Sequence, residues 1–337
     1  MSTFYSMKKT VIKITGLSAL FIFLMLISEP AYSQAQDEES NYPVWTPAGF
    51  LQMHFSANDQ EDIPAAFSVH RARMGLKGKV SDKISVNMVV GATEPPNNSP
   101  ALVNAFADFS LNQYFNIRAG QFFVPFGVEG PEPITINPAI ERSYTSRQMN
   151  PFRMFRDIGI MGYGNYSFMN YSLAVMNGNG ANVAENLNPK DVIGKVDFEI
   201  FDDFIAGLSS HIGTYETNNL ERRSRQRWGI HGEYDGSPFF ARGEMMIRED
   251  EISPEVDAQS SGGYLLGGYE INNNWETIGR IEYFDSDFNA RDYQGVTLGL
   301  NYFPANNTNL SVNGMAFSQG DNNEINFALF VQLQFVL

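Results

Sequence analysis

Basic side chains occupy alternate positions in several segments of this chain. Near its start they are Arg71, Arg73 and Lys77, and the side chains directly between them are small or apolar. Because side chains alternate between the two faces of a β-strand, these charges should share one face. On the wall of a water-filled channel, fixed positive charges would attract and filter anions. Similar polar positions hold Arg118, Arg225, Arg227, Arg242 and Arg280.

Acidic side chains fall on the same faces as these basic residues. They are Asp108, Asp197, Glu199, Glu233, Glu244, Glu270, Glu276 and Glu282. One interpretation is a general pore with charges of both signs on its wall. The other is that each arginine pairs with a neighbouring carboxylate and serves the structure of the wall. Either interpretation argues against a wall dedicated to a single kind of anion.

The four histidines give little support for catalysis. Two serines precede His211, but the chain lacks the Gly-x-Ser-x-Gly turn of many hydrolases. The spacing of His54, His70 and His231 matches no familiar metal-binding motif, such as His-Glu-x-x-His. A hydrolase also needs a base that a third group orients. We therefore predict that the protein is not an enzyme and has no cofactor and no metal site.

The elements that would position the charges are β-strands. From residue 326 to 337 every odd position is apolar, whereas the even positions include Asn326, Gln332 and Gln334. An apolar exterior around a polar interior is typical of a barrel in a lipid bilayer. A closed barrel also removes the open strand edge that invites aggregation.

The same alternation predicts sixteen strands. They span about 48–57, 65–78, 83–91, 101–111, 115–124, 157–166, 169–177, 190–200, 204–215, 223–234, 239–248, 261–270, 275–284, 293–303, 310–317 and 324–337. Alternate connections are short, and the others are generally longer. The pattern predicts an all-β fold, namely a transmembrane antiparallel β-barrel of about 16 strands, with 14 or 18 as alternatives. Its short turns should be periplasmic and its longer loops extracellular.

The N-terminal region has the form of an export signal. Three lysines precede an apolar run from Ile14 to Ile27, and Ala31-Tyr32-Ser33 fits a small-x-small cleavage site. We expect a signal peptide at 1–33, a periplasmic leader at 34–47 and a barrel domain at 48–337. A retained N-terminal anchor is the alternative, although the run is short for a spanning helix.

The composition of the chain excludes several kinds of site, partner and fold. The chain has no cysteine, so neither disulfides nor thiolate metal sites stabilise it. Its formal net charge of -15 argues against a nucleic-acid partner. A mean hydropathy of -0.24 excludes a bundle of membrane-spanning helices but fits a barrel, in which only every second strand residue meets lipid.

One connection, at about 125–156, is much longer than the others. Loops of this length are usually functional or disordered, and this one is rich in large apolar residues and in proline. We expect it to fold inward as a constriction loop that narrows the lumen. Packing over the outer mouth is the alternative. Its charged residues are Glu129, Glu132, Glu141, Arg142, Arg147, Arg153 and Arg156.

The strand that enters this loop carries a family resemblance. Residues 116–129 read N-I-R-A-G-Q-F-F-V-P-F-G-V-E. This segment resembles the R-x-G-Q-F-x-x-P-F-G-x-E signature of the phosphate-selective porin O and P family. Segments 67–78, 275–283 and 297–303 resemble three other strands of that family. The resemblance implies a sixteen-stranded, trimeric outer-membrane channel, whose selective members line the pore with arginine and lysine.

Together these observations predict a porin of the bacterial outer membrane that allows passive diffusion of small hydrophilic solutes and ions. A preference for anions or phosphate is a finer expectation. The expected partners are such solutes or anions, the lipid bilayer, lipopolysaccharide and further copies in a homotrimer. The alternative is a non-channel barrel that acts in adhesion or membrane integrity. A soluble exported β-sandwich would need covered edges that the sequence does not mark.

Overall fold

The computed structural model describes residues 42–59, 64–94, 99–183, 189–217, 221–254, 256–287, 292–320 and 324–337, apart from the side chain of residue 153. The expected signal peptide and most of the expected leader therefore lie outside the described residues. Among the residues that are described, no helix is long and apolar enough to cross a bilayer.

Sixteen antiparallel strands close into one barrel, as predicted. They are β1 Val44–Asn58, β2 Ala66–Lys79, β3 Ile84–Thr93, β4 Ala101–Ser110, β5 Asn116–Phe123, β6 Arg156–Tyr166, β7 Met169–Met176, β8 Asp191–Phe201, β9 Phe204–Glu216, β10 Arg222–Gly236, β11 Phe239–Ser253, β12 Val256–Asn272, β13 Trp275–Ser286, β14 Tyr293–Ala305, β15 Thr308–Gln319 and β16 Asn326–Val336. Each strand pairs with its neighbours in sequence, and β16 pairs with β1, where His54 lies opposite Gln332.

The strand bounds differ from the prediction mainly at two places. Strand β1 begins at Val44, four residues before the predicted start at 48. Strands β11 and β12 extend well into the loop predicted at 249–260, where Asp250 pairs with Ala258. The prediction of a long loop between the strands that end at 248 and begin at 261 was therefore wrong. This segment is rich in glutamate and aspartate, and a strand that continues beyond the hydrocarbon meets water and can carry such charges.

The outer face of the barrel is apolar and the inner face is polar. On β14, Leu298 is 67% exposed on the outside, whereas Thr297 is 1% exposed on the inside. On β16, Phe327 lies outside at 58% exposure and Gln332 inside at 4%. This distribution reverses the arrangement of a soluble protein and fits a barrel whose outer solvent is lipid.

The connection between β5 and β6 contains the only helices of the described residues. It includes the short helix α1, Tyr144–Met149, and 3-10 turns at Ile134–Ile136 and Arg153–Phe155. Ser143 caps α1 by accepting a hydrogen bond from the backbone of Ser146. The connection returns to β6 through Met154 and Phe155, both at left-handed φ angles, 58° and 59°. We call the segment from Val124 to Phe155 the constriction loop.

The largest buried apolar cluster lies inside the barrel, between the constriction loop and the wall. The loop contributes Phe126, Met149 and Phe152, among others, and the wall contributes side chains such as Met176 and Phe284. The apolar content of the loop therefore packs against inward-facing apolar side chains. This packing positions the polar contacts described next.

Candidate pore constriction

The constriction loop folds into the barrel, as predicted, and its first half follows strands β14 to β16. Gln334 donates to the carbonyl of Thr135 at 3.0 Å. Asn301 donates to the carbonyl of Pro138 at 2.8 Å. Further along, the backbone N–H of Ile140 donates to Asn313 at 2.9 Å. The alternative, a loop packed over the outer mouth, is therefore wrong.

The second half of the constriction loop lies against strands β10 to β13. Arg227 donates to the carbonyl of Met149 at 2.8 Å. Arg248 donates to the carbonyl of Gln148 at 3.0 Å. The hydroxyl of Thr145 donates to the carbonyl of Tyr283 at 3.1 Å. Wall side chains thus satisfy the exposed carbonyls at the C-terminal end of α1.

Two loop carboxylates meet the same wall arginine. Arg242 donates to both carboxylate oxygens of Glu132 at 2.9 Å and to Glu129 at 3.4 Å. Burial opposes the ionisation of Glu129, but Arg242, Arg280 and hydrogen bonds from Ser143 hold the pKa of Glu129 below its ordinary value of 4.5. Burial raises the pKa of Glu132, against the attraction of Arg242. Glu129 is therefore the firmer anionic partner.

The loop arginines differ in their surroundings. Arg142 is buried, donates to the backbone carbonyls of Glu129 and Glu132, and lies over the ring of Phe155; burial lowers its pKa to about 10. Arg156 was predicted in the loop but is the first residue of β6; it is buried over the ring of Phe123 and donates to Asn104 at 2.8 Å. Arg147 is exposed.

Arg147 makes no ion pair among the described residues, and its guanidinium lies 5.8 Å from the centre of the Tyr144 ring. The side chain of Arg153 lies outside the described part of the chain. Among the loop arginines whose side chains are described, Arg147 is the cation that solutes meet most directly.

Most predicted pore arginines pair with carboxylates of the wall or loop. Arg73 donates to both oxygens of Glu94 at 2.6 Å, and Arg118 to both oxygens of Asp108 at 2.8 and 3.0 Å. The remaining pairs are Arg71–Glu141 at 3.7 Å, Arg227–Asp250 at 3.2 Å, Arg242–Glu132 at 2.9 Å and Arg280–Glu282 at 2.8 Å. The pairing interpretation therefore describes this wall better than an open ladder of cations.

The predicted Lys77 lies near the short-turn end of β2 and is exposed. Among the described residues it makes no ion pair. Inward side chains of β3 to β5 are also partly exposed; the side chain of Arg118 is 25% exposed and that of Asp108 is 15% exposed. Asn87 and Asn104 lie on the same side of the lumen and are half-buried. These polar groups line the water-accessible space beside the constriction loop.

Sequence reasoning missed three carboxylates of the site. Glu94 follows the end of β3 and is fully buried against Arg73. Asp191 is fully buried between His211 and Arg225. Asp250 lies in the segment wrongly predicted as a loop. Asp191 and Asp250 keep the inward parity of β8 and β11, so alternation followed to the strand ends was the available signal, whereas Glu94 lies just beyond the end of β3.

Both the sequence and the fold of this chain are similar to those of known outer-membrane β-barrels. The profile of the family described as “Putative beta-barrel porin-2, OmpL-like” matches residues 73–333. Among solved structures, a loop L8 deletion mutant of OmpT, an outer membrane protein of Vibrio cholerae, is 11% identical with a TM-score of 0.70; the match covers 88% of this chain and 100% of that one. No curated protein matches the chain.

Two further solved structures share the fold. The anion-selective porin from Comamonas acidovorans is 12% identical with a TM-score of 0.69, and the match covers 88% of this chain and 100% of that one. Salmonella typhi OmpF, in complex with daunomycin, is 13% identical with a TM-score of 0.68, and the match covers 87% and 97% of the two chains. At these identities the likeness concerns the fold alone.

Proposed function

The chain belongs to the OmpL-like beta-barrel porin-2 family and is a β-barrel of the bacterial outer membrane; on this premise we propose that it admits small hydrophilic solutes and ions by passive diffusion. The observation that carries the proposal is the partly exposed polar wall of β3 to β5 beside the constriction loop, with Arg118 and Asp108 at its centre. Solutes would pass between this wall and the loop.

The pairing of arginines limits the ion selectivity that we propose. A bidentate pair such as Arg118–Asp108 presents little net charge to a passing ion, although its dipole still acts at short range. The exposed Arg147 and Lys77 make no ion pair among the described residues, although the charge of Arg147 also acts on Glu141. We therefore propose a modest preference for anions, set by these two cations, rather than a dedicated phosphate pathway.

Other parts of the proposal rest on the sequence. Kinship with the phosphate-selective porin O and P family rests on the motif at 116–129 and the three shorter segments. A homotrimer in contact with lipid and lipopolysaccharide is proposed by analogy with that family. We also propose that the barrel is not an enzyme. The cleavable signal at 1–33, the leader at 34–47 and the barrel domain from 48 to 337 are parts of the same proposal.

One observation favours the second candidate function, a plugged barrel that acts in adhesion or membrane integrity. The constriction loop makes hydrogen bonds along much of the wall, from Ser209 on β9 to Gln334 on β16. Single-channel recording of the mature chain in a planar bilayer separates the two functions. A diffusion channel gives repeated open steps in potassium chloride, whereas a plugged barrel gives none.

Reversal potentials in a salt gradient test the proposed selectivity. Arg147→Gln removes an exposed cation that makes no ion pair among the described residues, so we expect the reversal potential to shift toward that of a cation-preferring pore. Replacing both partners of a pair, as in Asp108→Asn with Arg118→Gln, should leave it nearly unchanged. Asp108→Asn alone and Arg118→Gln alone should shift the reversal potential in opposite directions. An unchanged potential in Arg147→Gln would reject the assignment of selectivity to this residue.

A further inference from the structure

Two wall histidines and one loop carboxylate meet inside the barrel. One candidate ligand atom from each of His54, His70 and Glu141 lies within 4.8 Å of the other two. The Nε2 atom of His70 is 3.1 Å from a carboxylate oxygen of Glu141. The imidazole rings of His54 and His70 stack, with their centroids 4.0 Å apart. The cluster links β1, β2 and the constriction loop.

A β-bulge in β2 brings His70 beside His54. Gln52 pairs with Arg71 and Met53 pairs with Val69, so His70 is an extra residue in β2. A bulge of this kind can re-aim a side chain beside a functional site. Here the exposed apolar positions change phase, from Phe67 and Val69 before the bulge to Met74 and Leu76 after it. His70 consequently turns inward beside His54.

The hydrogen bonds leave a nitrogen lone pair on each imidazole. The Nε2 atom of His54 is 2.6 Å from the amide oxygen of Gln332. Because that oxygen can only accept, Nε2 carries the proton and Nδ1 keeps the lone pair. The Nε2 atom of His70 lies 3.1 Å from a carboxylate oxygen of Glu141, which can only accept, so this nitrogen carries a proton and would release it on metal binding.

The surroundings also resemble those of a metal-binding carboxylate. Arg71 lies 3.7 Å from the second carboxylate oxygen of Glu141 and donates to Gln52 at 3.0 Å. Arg280 donates to the backbone carbonyl of Glu141 at 2.8 Å. Such outer contacts orient ligands. The side chains of His70 and Glu141 are each 22% exposed, so an ion can approach from the lumen.

We propose that His54, His70 and Glu141 bind one divalent transition-metal ion of the Zn²⁺ class, between the constriction loop and the wall. Two imidazole nitrogens and one carboxylate oxygen suit Zn²⁺, Co²⁺ and Ni²⁺, whereas Mg²⁺ and Ca²⁺ prefer oxygen ligands. Binding requires the stacked rings to rotate until both nitrogens reach about 2.1 Å from the ion. Water would occupy the remaining position, which faces the lumen.

Metal titration of the full mature chain in detergent tests this site. We expect one equivalent of Zn²⁺ by calorimetry, and visible absorption from Co²⁺ with nitrogen and oxygen ligands. His70→Ala and Glu141→Gln should weaken Zn²⁺ binding at least about tenfold. His231→Ala is the matched control, since His231 contacts Asp197 at 2.7 Å outside the cluster. Circular dichroism and heat-dependent gel mobility should show that each variant folds.

The outcomes separate cleanly. If the wild-type chain binds no equivalent of Zn²⁺ or Co²⁺, the site does not exist. If folded His70→Ala binds as tightly as wild type, the ion lies elsewhere and the proposal is also wrong. Loss of binding in both cluster variants, with binding kept in His231→Ala, supports it. Because no current is measured, the result stands whether or not the barrel proves to be an open channel.

Discussion

Arginine in this barrel mainly attaches the constriction loop to the wall. Arg242 reaches Glu132, Glu129 and the side chain of Asn137 at once. A guanidinium has five N–H donors in a fixed plane, so one side chain can bridge several acceptors. Charge-assisted hydrogen bonds of this kind are stronger than neutral ones. Pore charge and loop position are therefore set by the same residues.

Replacing Glu129 should destabilise the barrel in a pH-dependent way. The lowered pKa of Glu129 means that its contribution to stability is present above pH 4.5 and is lost as the pH falls through the lower, folded-state pKa. We expect Glu129→Gln to cost about 1.5–3 kcal/mol at pH 7. The cost should shrink as the pH falls below 4.5.

Denaturant unfolding of wild type and variant in detergent, followed by tryptophan fluorescence at neutral and acidic pH, measures this difference. The exposed Glu270, which accepts from Ser237, provides a control through Glu270→Gln, with little effect at either pH. A Glu129→Gln deficit that stays constant as the pH falls would show that ionisation of Glu129 does not contribute to stability.

Alternation along a strand predicted which arginines face inward, but it could not identify their partners. Arg118 and Asp108 face each other across paired strands, so their register decides the contact. Arg242 meets Glu132 through the constriction loop, at a distance in sequence that no local pattern encodes. The inward position of His70 was not predicted for another reason: a β-bulge reverses the alternation of side chains along β2. The switch from odd to even apolar positions was the available signal.

The constriction loop forms a small apolar core inside a polar lumen. Phe152 is 5% exposed, contacts the ring of His211 and lies beneath Arg225. The apolar composition of the loop was sufficient to predict that it folds inward. Its path along β14 to β16 and then β10 to β13 was not predictable, because it depends on hydrogen bonds to individual wall residues.

Phe152→Ala should loosen the loop while the barrel stays closed. Truncating a buried phenylalanine costs about 3–5 kcal/mol where the site cannot collapse, and here most of that cost should fall on loop docking. We expect larger and noisier single-channel conductance. Ile136→Ala is the control within the same loop, because Ile136 is 65% exposed and should contribute little to docking.

Gel mobility should show that both variants remain folded barrels. If Phe152→Ala leaves conductance and current noise unchanged, the packing of Phe152 does not hold the loop in place. If Ile136→Ala has the same effect as Phe152→Ala, the result reports a general disturbance of the loop and not its apolar core.

The barrel as a whole follows from two solvents, lipid outside and water inside, and from a closed hydrogen-bond ladder. Almost every strand exposes large apolar side chains outward, and the β1–β16 pairing leaves no open edge along the barrel. With no cysteine in the chain, closure and packing provide the stability that disulfides give other exported proteins. This level of structure was predictable, because alternation is set by the solvents and not by particular contacts.

The short turns should lie on the periplasmic side of the membrane and the longer connections outside the cell, and cysteine labelling can test this orientation. Strand β13 joins the short turn at Asn273 to the longer connection that begins at Asp287, and both residues are exposed. Because the chain has no natural cysteine, each single-cysteine variant reports only its own site. A maleimide on a polymer too large to cross outer-membrane pores should label Asp287→Cys on intact cells and Asn273→Cys only after lysis. The opposite pattern would place the short turns outside the cell and invert the barrel.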